Sequence, residues 1–413
     1  MLLAGSMLPG GQPGPVVEHP RAFPGARGFG ARTPAGRGGR IIRVTTLAAE
    51  GPGSLREALT AKGARIVVFE VGGVIDLQMK SITIAEPFLT VAGQTAPAPG
   101  ITLIRGGVAV RTHDVLMRHM RFRPGDAGQK KGSGWDPEIS LWGPEAYGII
   151  FDHCSFTWGV AGNLTIGGPI SDNESGTARG ITISNSIIAE ALQDSSARSP
   201  HSLGAAVMEG CTNVAFIGNL FAHNEQGNPW FHANSTGVVV NNLLYNPGHD
   251  AIQLDWRPSD WTGKTPARNP RVSVAGNVMF YGADTIDGLA LIARKGDAFL
   301  ADNLAYDQSG TPAAITTGLI ETLSERLIWP RGMTTVPAAK VFEIVLRHAG
   351  ARSKDRDEID SRILADVRDR KGRIIKTQDE VGGYPKHAPT RRRLIIPSDD
   401  IDDWLAKMSM DVE

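Results

Sequence analysis

An internal repeat constrains the fold of this chain more than any other feature of its sequence. Eight short segments between residues 88 and 305 each combine an apolar run, a small or polar residue near its end, and a second apolar pair. These small or polar residues lie 23 to 35 residues apart, a period that is typical of solenoids. A single coil cannot bury its apolar face, so coils must stack and pair their strands in parallel. The small or polar residues are Gly93, His119, His153, Asn185, Asn219, Asn242, Asn277 and Asn303.

The residues at these bends favour a structural role. Asparagine tolerates left-handed backbone geometry, and asparagines stacked in successive coils can hydrogen-bond along the axis. The 49 glycines and 26 prolines among 413 residues predict short elements separated by many turns. The predicted fold class is therefore an all-β solenoid, whose unequal loops are the expected carriers of function.

The sequence divides into three parts. Residues 1–64 are predicted to form an irregular Gly/Pro-rich lead-in with a short helix, because Ser54 and Glu57 match a capping box. Residues 65–335 carry the repeat, and residues 336–413 show the periodicity of a charged helical tail. Because an open solenoid leaves unpaired strands at its ends, we expect the lead-in and the tail to cap them.

Charge and composition exclude several classes of function. The 43 basic and 43 acidic residues give no net charge, which argues against a nucleic-acid partner. No apolar run is long enough to span a membrane. Residues 1–10 lack the basic segment of a secretory signal, so no signal peptide is recognisable. The two cysteines, Cys154 and Cys211, cannot form a disulfide framework.

Several motifs resemble those of the bacterial pectate-lyase-like polysaccharide lyases. The most specific are FPGARGFGARTPAGRGG (23–39), FDHCSFTWG (151–159) and VRDRKGRIIKTQDEVGGYP (367–385), and the resemblance extends over nearly the whole chain. It implies a right-handed, single-stranded parallel β-helix, in agreement with the repeat. It also implies β-elimination on an acidic polysaccharide such as pectate. In that reaction calcium offsets the carbanion charge and an arginine removes the proton.

The chain departs from the family pattern at the positions that the resemblance assigns to this chemistry. Ala161 and Gly162 stand where the family has carboxylates, and Gly227 and Trp230 stand where it has arginines. An earlier acidic position is retained as Asp136, with Glu138 beside it, so these two residues are the candidate metal ligands. One or two carboxylates on a loop hold calcium poorly, and we expect calcium binding to be weak or absent.

Other residues are candidates for catalysis and binding. Histidine can act as a general base near neutral pH, and tryptophan can stack on sugar rings. The candidate catalytic residues are Arg198, His201 and His223. The candidate substrate-binding residues are Glu190, Asn228, Trp230, Asp255 and Arg257.

Three functional hypotheses follow from these observations. In the first, the protein binds an acidic polysaccharide and cleaves it by β-elimination with a non-standard site. In the second, catalysis is lost and the β-helix is a glycan-binding or structural component, such as a phage-type spike or decoration protein. That role would place it outside the cell or on a particle surface, as a homo-oligomer or part of an assembly. In the third, the protein is an epimerase or a hydrolase built on the same fold. Asp250 and Asp255 are then the candidates for the carboxylate pair of a glycosidase.

Overall fold

Three parallel β-sheets wind around one apolar core in the computed structural model. It describes residues 20–137, 139–169, 176–194, 196, 202–261, 267–326 and 328–413. A complete coil contributes one strand to each sheet in the same order, and successive coils pair in parallel. This architecture confirms the predicted parallel β-helix. Its inward-facing side chains include stacked phenylalanines, such as Phe122 and Phe156 with ring centroids 5.2 Å apart.

The strands are numbered in chain order and grouped here by sheet. The first sheet contains β1 (Arg40–Val44), β2 (Arg65–Phe69), β5 (Leu89–Ala92), β8 (Val115–Arg118), β11 (Tyr147–Asp152), β14 (Arg179–Ser184), β17 (Thr212–Ile217), β20 (Thr236–Val240), β23 (Arg271–Ala275), the second half of β25 (Ile292–Ala301) and β27 (Leu319–Leu323). The second sheet contains β3 (Val71–Asp76), β6 (Ile101–Ile104), β9 (Met120–Arg123), β12 (Ser155–Thr157), β15 (Ile187–Ala189), β18 (Leu220–Ala222), β21 (Leu243–Tyr245), β24 (Val278–Phe280) and β26 (Leu304–Tyr306), and β28 (Thr390–Arg391) pairs antiparallel with β3. The third sheet contains β4 (Ile82–Ile84), β7 (Val108–Val110), β10 (Ile139–Trp142), β13 (Gly162–Gly167), β16 (Leu203–Val207), β19 (Trp230–Phe231), β22 (Ile252–Leu254) and the first half of β25.

Four α-helices flank the sheets in the described residues. They are α1 (Leu55–Thr60), α2 (Val341–His348), α3 (Glu358–Asp369) and α4 (Ile401–Val412). None of these helices is both long and apolar enough to cross a membrane. The predicted cap of α1 is confirmed, because Ser54 Oγ accepts a hydrogen bond from the Glu57 N–H at 3.2 Å. Helix α1 buries Leu55 and Leu59 in the main core beside β1 and β4. Strand β1 already pairs with β2, so strand pairing begins before residue 65, inside the predicted lead-in.

At the bend between the first and second sheets, left-handed backbone geometry and axial hydrogen bonding belong to different residues, although the sequence analysis assigned both to one column. His119, His153 and Asn185 have positive φ angles of 57°, 49° and 48° but do not belong to the asparagine ladder. The ladder residues, such as Asn219 and Asn242, stand one position later in their coils than these three residues do. Each ladder side chain accepts a hydrogen bond from the backbone N–H at the same place in the preceding coil: Ser186 N–H donates to Asn219 Oδ1 at 2.9 Å, and Asn219 N–H donates to Asn242 Oδ1 at 2.8 Å. The rungs of the ladder are Asn219, Asn242, Asn277 and Asn303.

Helix α1 of the lead-in packs on the core at the first coil, as expected of a cap, but the tail covers the sides of the solenoid, which corrects the expectation that the tail caps an end. Helices α2 and α3 pack on the outer face of the second sheet, against residues such as Leu220 and Leu243. Helix α4 packs on the outer face of the first sheet against Ile66 and Val68. Residues 20–37 cross the same sheet, where a Cβ on Gly36 would stand 2.0 Å from a backbone oxygen. In the described part of the chain, no helix packs across the outer face of the third sheet.

A buried ionic cluster fixes α3 to the second sheet. Arg123 on β9 donates to Asp360 at 2.8 Å and also pairs with Asp357, and all three side chains have no exposed surface. Asp360 also accepts from Arg121 at 3.2 Å and from the Ser155 hydroxyl at 2.7 Å. Burial alone would raise the pKa of Asp357, but the two guanidinium groups lower it well below its usual value.

Candidate functional site

The outer face of the third sheet carries partly exposed aromatic side chains in several coils. The ring of Trp142 lies across Gly167, where a Cβ would stand 2.4 Å from it, so only glycine allows this approach. Trp230 stacks on His232 with ring centroids 4.1 Å apart and an interplanar angle of 26°. Beyond β22, Lys295 Nζ lies 3.7 Å from the centroid of the Trp256 ring. We call this surface the third-sheet face, defined by Trp142, Trp230, His232, Trp256 and Lys295.

Some predicted site residues lie on this face. Trp230 pairs with Gln253 of the next coil, and the Asp255 N–H donates to the carbonyl of Phe231 at 3.1 Å. Trp230 and Asp255 are therefore on neighbouring strands and both are half-buried, whereas Arg257 is exposed beyond β22. Their assignment to substrate binding stays a prediction. Arg198, His201 and Glu138 lie outside the described residues.

Two predicted residues are instead enclosed beneath α3. Glu190 is 1% exposed and accepts from both Arg362 Nη atoms, at 2.6 and 2.8 Å, and from Trp158 Nε1 at 3.0 Å. Burial alone would raise the pKa of Glu190, but Arg362 lowers it overall. His223 has no exposed surface, and burial lowers its pKa. This placement contradicts a substrate contact for Glu190 and proton abstraction from a polymer by His223, because the docked helix separates both from solvent.

Asn228 is also buried, and its side chain is held by neighbouring residues of the solenoid. It is 2% exposed, its Oδ1 accepts from Asn224 Nδ2 at 3.0 Å, and its Nδ2 donates to the Asp250 carbonyl at 3.0 Å. These bonds tie together two coils at the corner between the second and third sheets. They use both ends of the amide, so the predicted contact between Asn228 and substrate is contradicted.

Leu203 occupies the space beside two positions where the family pattern has charged residues. A Cβ on Gly162 would stand 3.2 Å from Leu203 Cδ2, and a Cβ on Gly227 would stand 2.2 Å from Leu203 Cδ1. Gly227 also has a φ angle of +64°, which L-residues adopt at a cost. The corner is therefore built for glycine at position 227.

Restoring a side chain at position 227 is expected to destabilise the protein. Gly227→Ala should lower the free energy of unfolding by about 1–2 kcal/mol through the positive φ alone, and further through the contact with Leu203. Introduced into a Leu203→Ala background, the same change should cost only the backbone part, because the steric contact is then absent; urea unfolding of both pairs would measure the difference. A Gly227→Ala variant as stable as the parent chain would contradict this account.

The described carboxylates do not fit the calcium site that the family implies. Calcium takes six to eight oxygen ligands, and of the two predicted acidic ligands only Asp136, which is exposed, is described. Two clusters of three candidate ligands occur among the described residues, at His119, His153 and Glu413 and at Asp357, Glu358 and His387. Neither includes Asp136. Each lies against an arginine, Arg118 or Arg123, whose positive charge opposes a bound cation.

A histidine–aspartate pair that the sequence analysis did not single out lies at the corner that leads into β22. His249 Nδ1 lies 2.8 Å from Asp250 Oδ2, and Arg294 donates to both oxygens of Asp250 at 2.9 and 2.6 Å. The adjacent His-Asp dipeptide at 249–250 was the available signal. Asp250 is 1% exposed, and although burial alone would raise its pKa, His249 and Arg294 lower it. A glycosidase acid needs a raised pKa, so the hypothesis of a hydrolase built on Asp250 and Asp255 is not supported.

The fold and this face together define a parallel β-helix protein in which one sheet keeps partly exposed aromatic side chains on its outer face. No family model matches the sequence. The chain is 31% identical over 376 residues to a probable pectate lyase C of Aspergillus flavus, covering 88% of this chain and 81% of the relative. A probable pectate lyase C of Neosartorya fischeri is 32% identical over 376 residues, which again cover 88% of this chain and 81% of the relative. The chain therefore belongs to the pectate lyase family.

Solved structures show the same fold at low identity. The crystal structure of jun a 1, the major allergen from cedar pollen, has a TM-score of 0.58 and 16% identity, covering 79% of this chain and 92% of that chain. A pectate lyase bound to a hexasaccharide has a TM-score of 0.54 and 13% identity, covering 82% and 99%. Both confirm the parallel β-helix.

Proposed function

We propose that the protein binds an acidic polysaccharide, with pectate as the first candidate, along the third-sheet face. One observation carries the proposal: the chain covers the outer faces of its other two sheets, while aromatic rings remain partly exposed on this one. Strands about 4.8 Å apart repeat along the solenoid and give a linear polymer a long surface to follow. Aromatic rings provide flat apolar surfaces on which sugar rings can pack.

Basic side chains near these rings supply charge complementarity. Lys295 lies over Trp256, the Arg111 guanidinium carbon is 5.8 Å from the Trp142 ring centroid, and Arg257 is exposed. Uronate carboxylates pair well with such cations, and arginine can bind them with two parallel hydrogen bonds. Family membership supports the same ligand class. No observation favours a particle component, so that alternative and the location it implies stay hypotheses.

We propose further that cleavage is a β-elimination performed by groups of this chain other than those of the family pattern. The replacement of both carboxylates at Ala161 and Gly162, and of both arginines at Gly227 and Trp230, supports this. Calcium-assisted proton abstraction by an arginine has no matching donor set in the described residues. Another group, close to the corner at Gly227 between the second and third sheets, must then take the proton from the carbon alpha to the uronate carboxylate.

Trp230→Ala is expected to weaken polysaccharide binding about tenfold, because one stacking contact of about 1.4 kcal/mol is lost. Electrophoresis through gels containing polygalacturonate, compared with a neutral galactan, would measure retention. Trp404→Ala, on α4 and away from this face, is the matched control and should leave retention unchanged. Equal retention by the charged and neutral polymers would contradict the proposed ligand class, and full retention of Trp230→Ala would contradict the proposed surface.

A further inference from the structure

We infer that His249 is the general base for cleavage at this site and that Asp250 positions it, an inference that rests on the proposed function. His249 lies in the coil that follows the Gly227 segment. Its backbone N–H donates to the Glu225 carbonyl at 2.8 Å, and the Gly248 N–H donates to the Asn224 carbonyl at 3.1 Å. The histidine is therefore one coil from the position where the resemblance expects the catalytic arginine.

The surroundings of the ring fix which nitrogen can react. Asp250 holds Nδ1 at 2.8 Å and cannot readily rotate, because Arg294 binds both of its oxygens. A buried carboxylate on Nδ1 orients an imidazole and directs Nε2 to proton transfer. The nearest acid to Nε2 is Glu225 Oε1 at 3.9 Å, too far for a hydrogen bond. The His249 side chain is 37% exposed, so a ligand can reach it.

The charges around His249 suit a base. The hydrogen bond to Asp250 raises the pKa of His249, opposed by partial burial and by Arg294, while Glu225 adds to the increase. A raised pKa makes the neutral ring a stronger base, and it predominates above that pKa. Arg294 uses Nε and Nη2 on Asp250, which leaves Nη1 without a hydrogen bond to any described residue, on a side chain that is 49% exposed. Nη1 can therefore hold the carboxylate of the uronate.

The proposed step balances without a metal or an added reactant. Neutral His249 Nε2 takes the proton from the carbon alpha to the uronate carboxylate, and the electron pair of that C–H bond becomes the new C=C bond. The bond from the neighbouring carbon to the glycosidic oxygen breaks, and that oxygen leaves with its electron pair. The leaving oxygen takes the proton of protonated His249, either directly or through a water molecule that passes it on, and this transfer restores the neutral ring. Arg294 offsets the charge that develops on the carboxylate.

The test compares the full chain with His249→Gln in polygalacturonate containing chelator, with the ultraviolet absorbance of the unsaturated product as readout. His249→Gln should lower kcat by about 10²–10⁴-fold while gel retention by polygalacturonate stays unchanged. His113→Gln is the matched control and should keep the parent rate. His113 Nδ1 also lies 2.8 Å from its neighbour, Asp114, but the ring stacks on Tyr147 away from this corner.

A pH profile separates positioning from simple structural support. Asp250→Asn removes the interaction that raises the pKa of His249, so the rising limb of activity should move to lower pH as kcat falls. A structural role would lower activity without moving that limb. The inference is overturned if His249→Gln keeps a rate within about threefold of the parent, or if the parent chain is retained by polygalacturonate but does not cleave it. A parent chain that the polymer does not retain instead refutes the binding proposal, and the gel reports this independently of cleavage.

Discussion

Asp360→Ala is expected to lower the free energy of unfolding by about 3–5 kcal/mol, the cost of breaking a buried ion pair from one side. The variant leaves Arg121 and Arg123 facing each other with no exposed surface and only Asp357 to balance them. It also removes the acceptor of the Ser155 hydroxyl, which lies in the solenoid itself. Because this cluster holds α3 against the second sheet, the tail should detach before the coils unfold.

Urea unfolding followed by circular dichroism would measure the loss, and limited proteolysis of residues 336–413 would report detachment of the tail. Asp403→Ala is the control. Asp403 pairs with Lys407 on α4 at 2.8 Å, but both side chains are about two-thirds exposed, at 64% and 67%. A surface pair of this kind contributes at most about 1 kcal/mol. Equal losses in the two variants would show that the buried cluster does not anchor α3.

The repeat was sufficient to predict the solenoid, but it did not determine the column of residues that forms the ladder. The sequence analysis placed Asn185 and Asn219 in one column, but they stand one position apart in their coils: Asn185 takes the positive φ angle and Asn219 carries the axial hydrogen bonds. Asparagine suits both roles, so its presence alone does not fix the register. The partners that decide it lie 23 to 35 residues away in neighbouring coils.

The surroundings of the candidate site residues were also hard to predict, because the partners that decide them lie far away in the sequence. Trp230 was named from its residue type and from its place in a motif, both of which can be read from the local sequence. The burial of Glu190 depends on Arg362, which is 172 residues away and reaches it only when α3 docks. The amphipathic pattern predicted that helix without showing which sheet it covers. His249 was missed because its role depends on Arg294, 44 residues beyond Asp250, which holds the orienting carboxylate.

Asn242→Ala is expected to lower the free energy of unfolding by about 4 kcal/mol. The Asn242 side chain accepts from the Asn219 N–H and side chain at 2.8 and 3.0 Å, and donates to the Phe216 carbonyl and to Asn277, both at 3.0 Å. Each net hydrogen bond contributes about 1 kcal/mol, and the buried Asn219 N–H is left without its partner. Since each coil of a solenoid contacts only its neighbours, the loss should weaken both adjoining interfaces.

Asn303→Ala provides the matched comparison at the last rung of the same ladder. Asn303 accepts from the Asn277 N–H and side chain at 3.0 Å and donates to the Val274 carbonyl at 2.9 Å, but it is half-buried. Water can replace these partners, so this variant should lose about 1–2 kcal/mol. Hydrogen exchange would locate the difference, with the amide of Asn219 losing protection only in Asn242→Ala. Equal losses at the two rungs would mean that burial does not set the strength of the ladder.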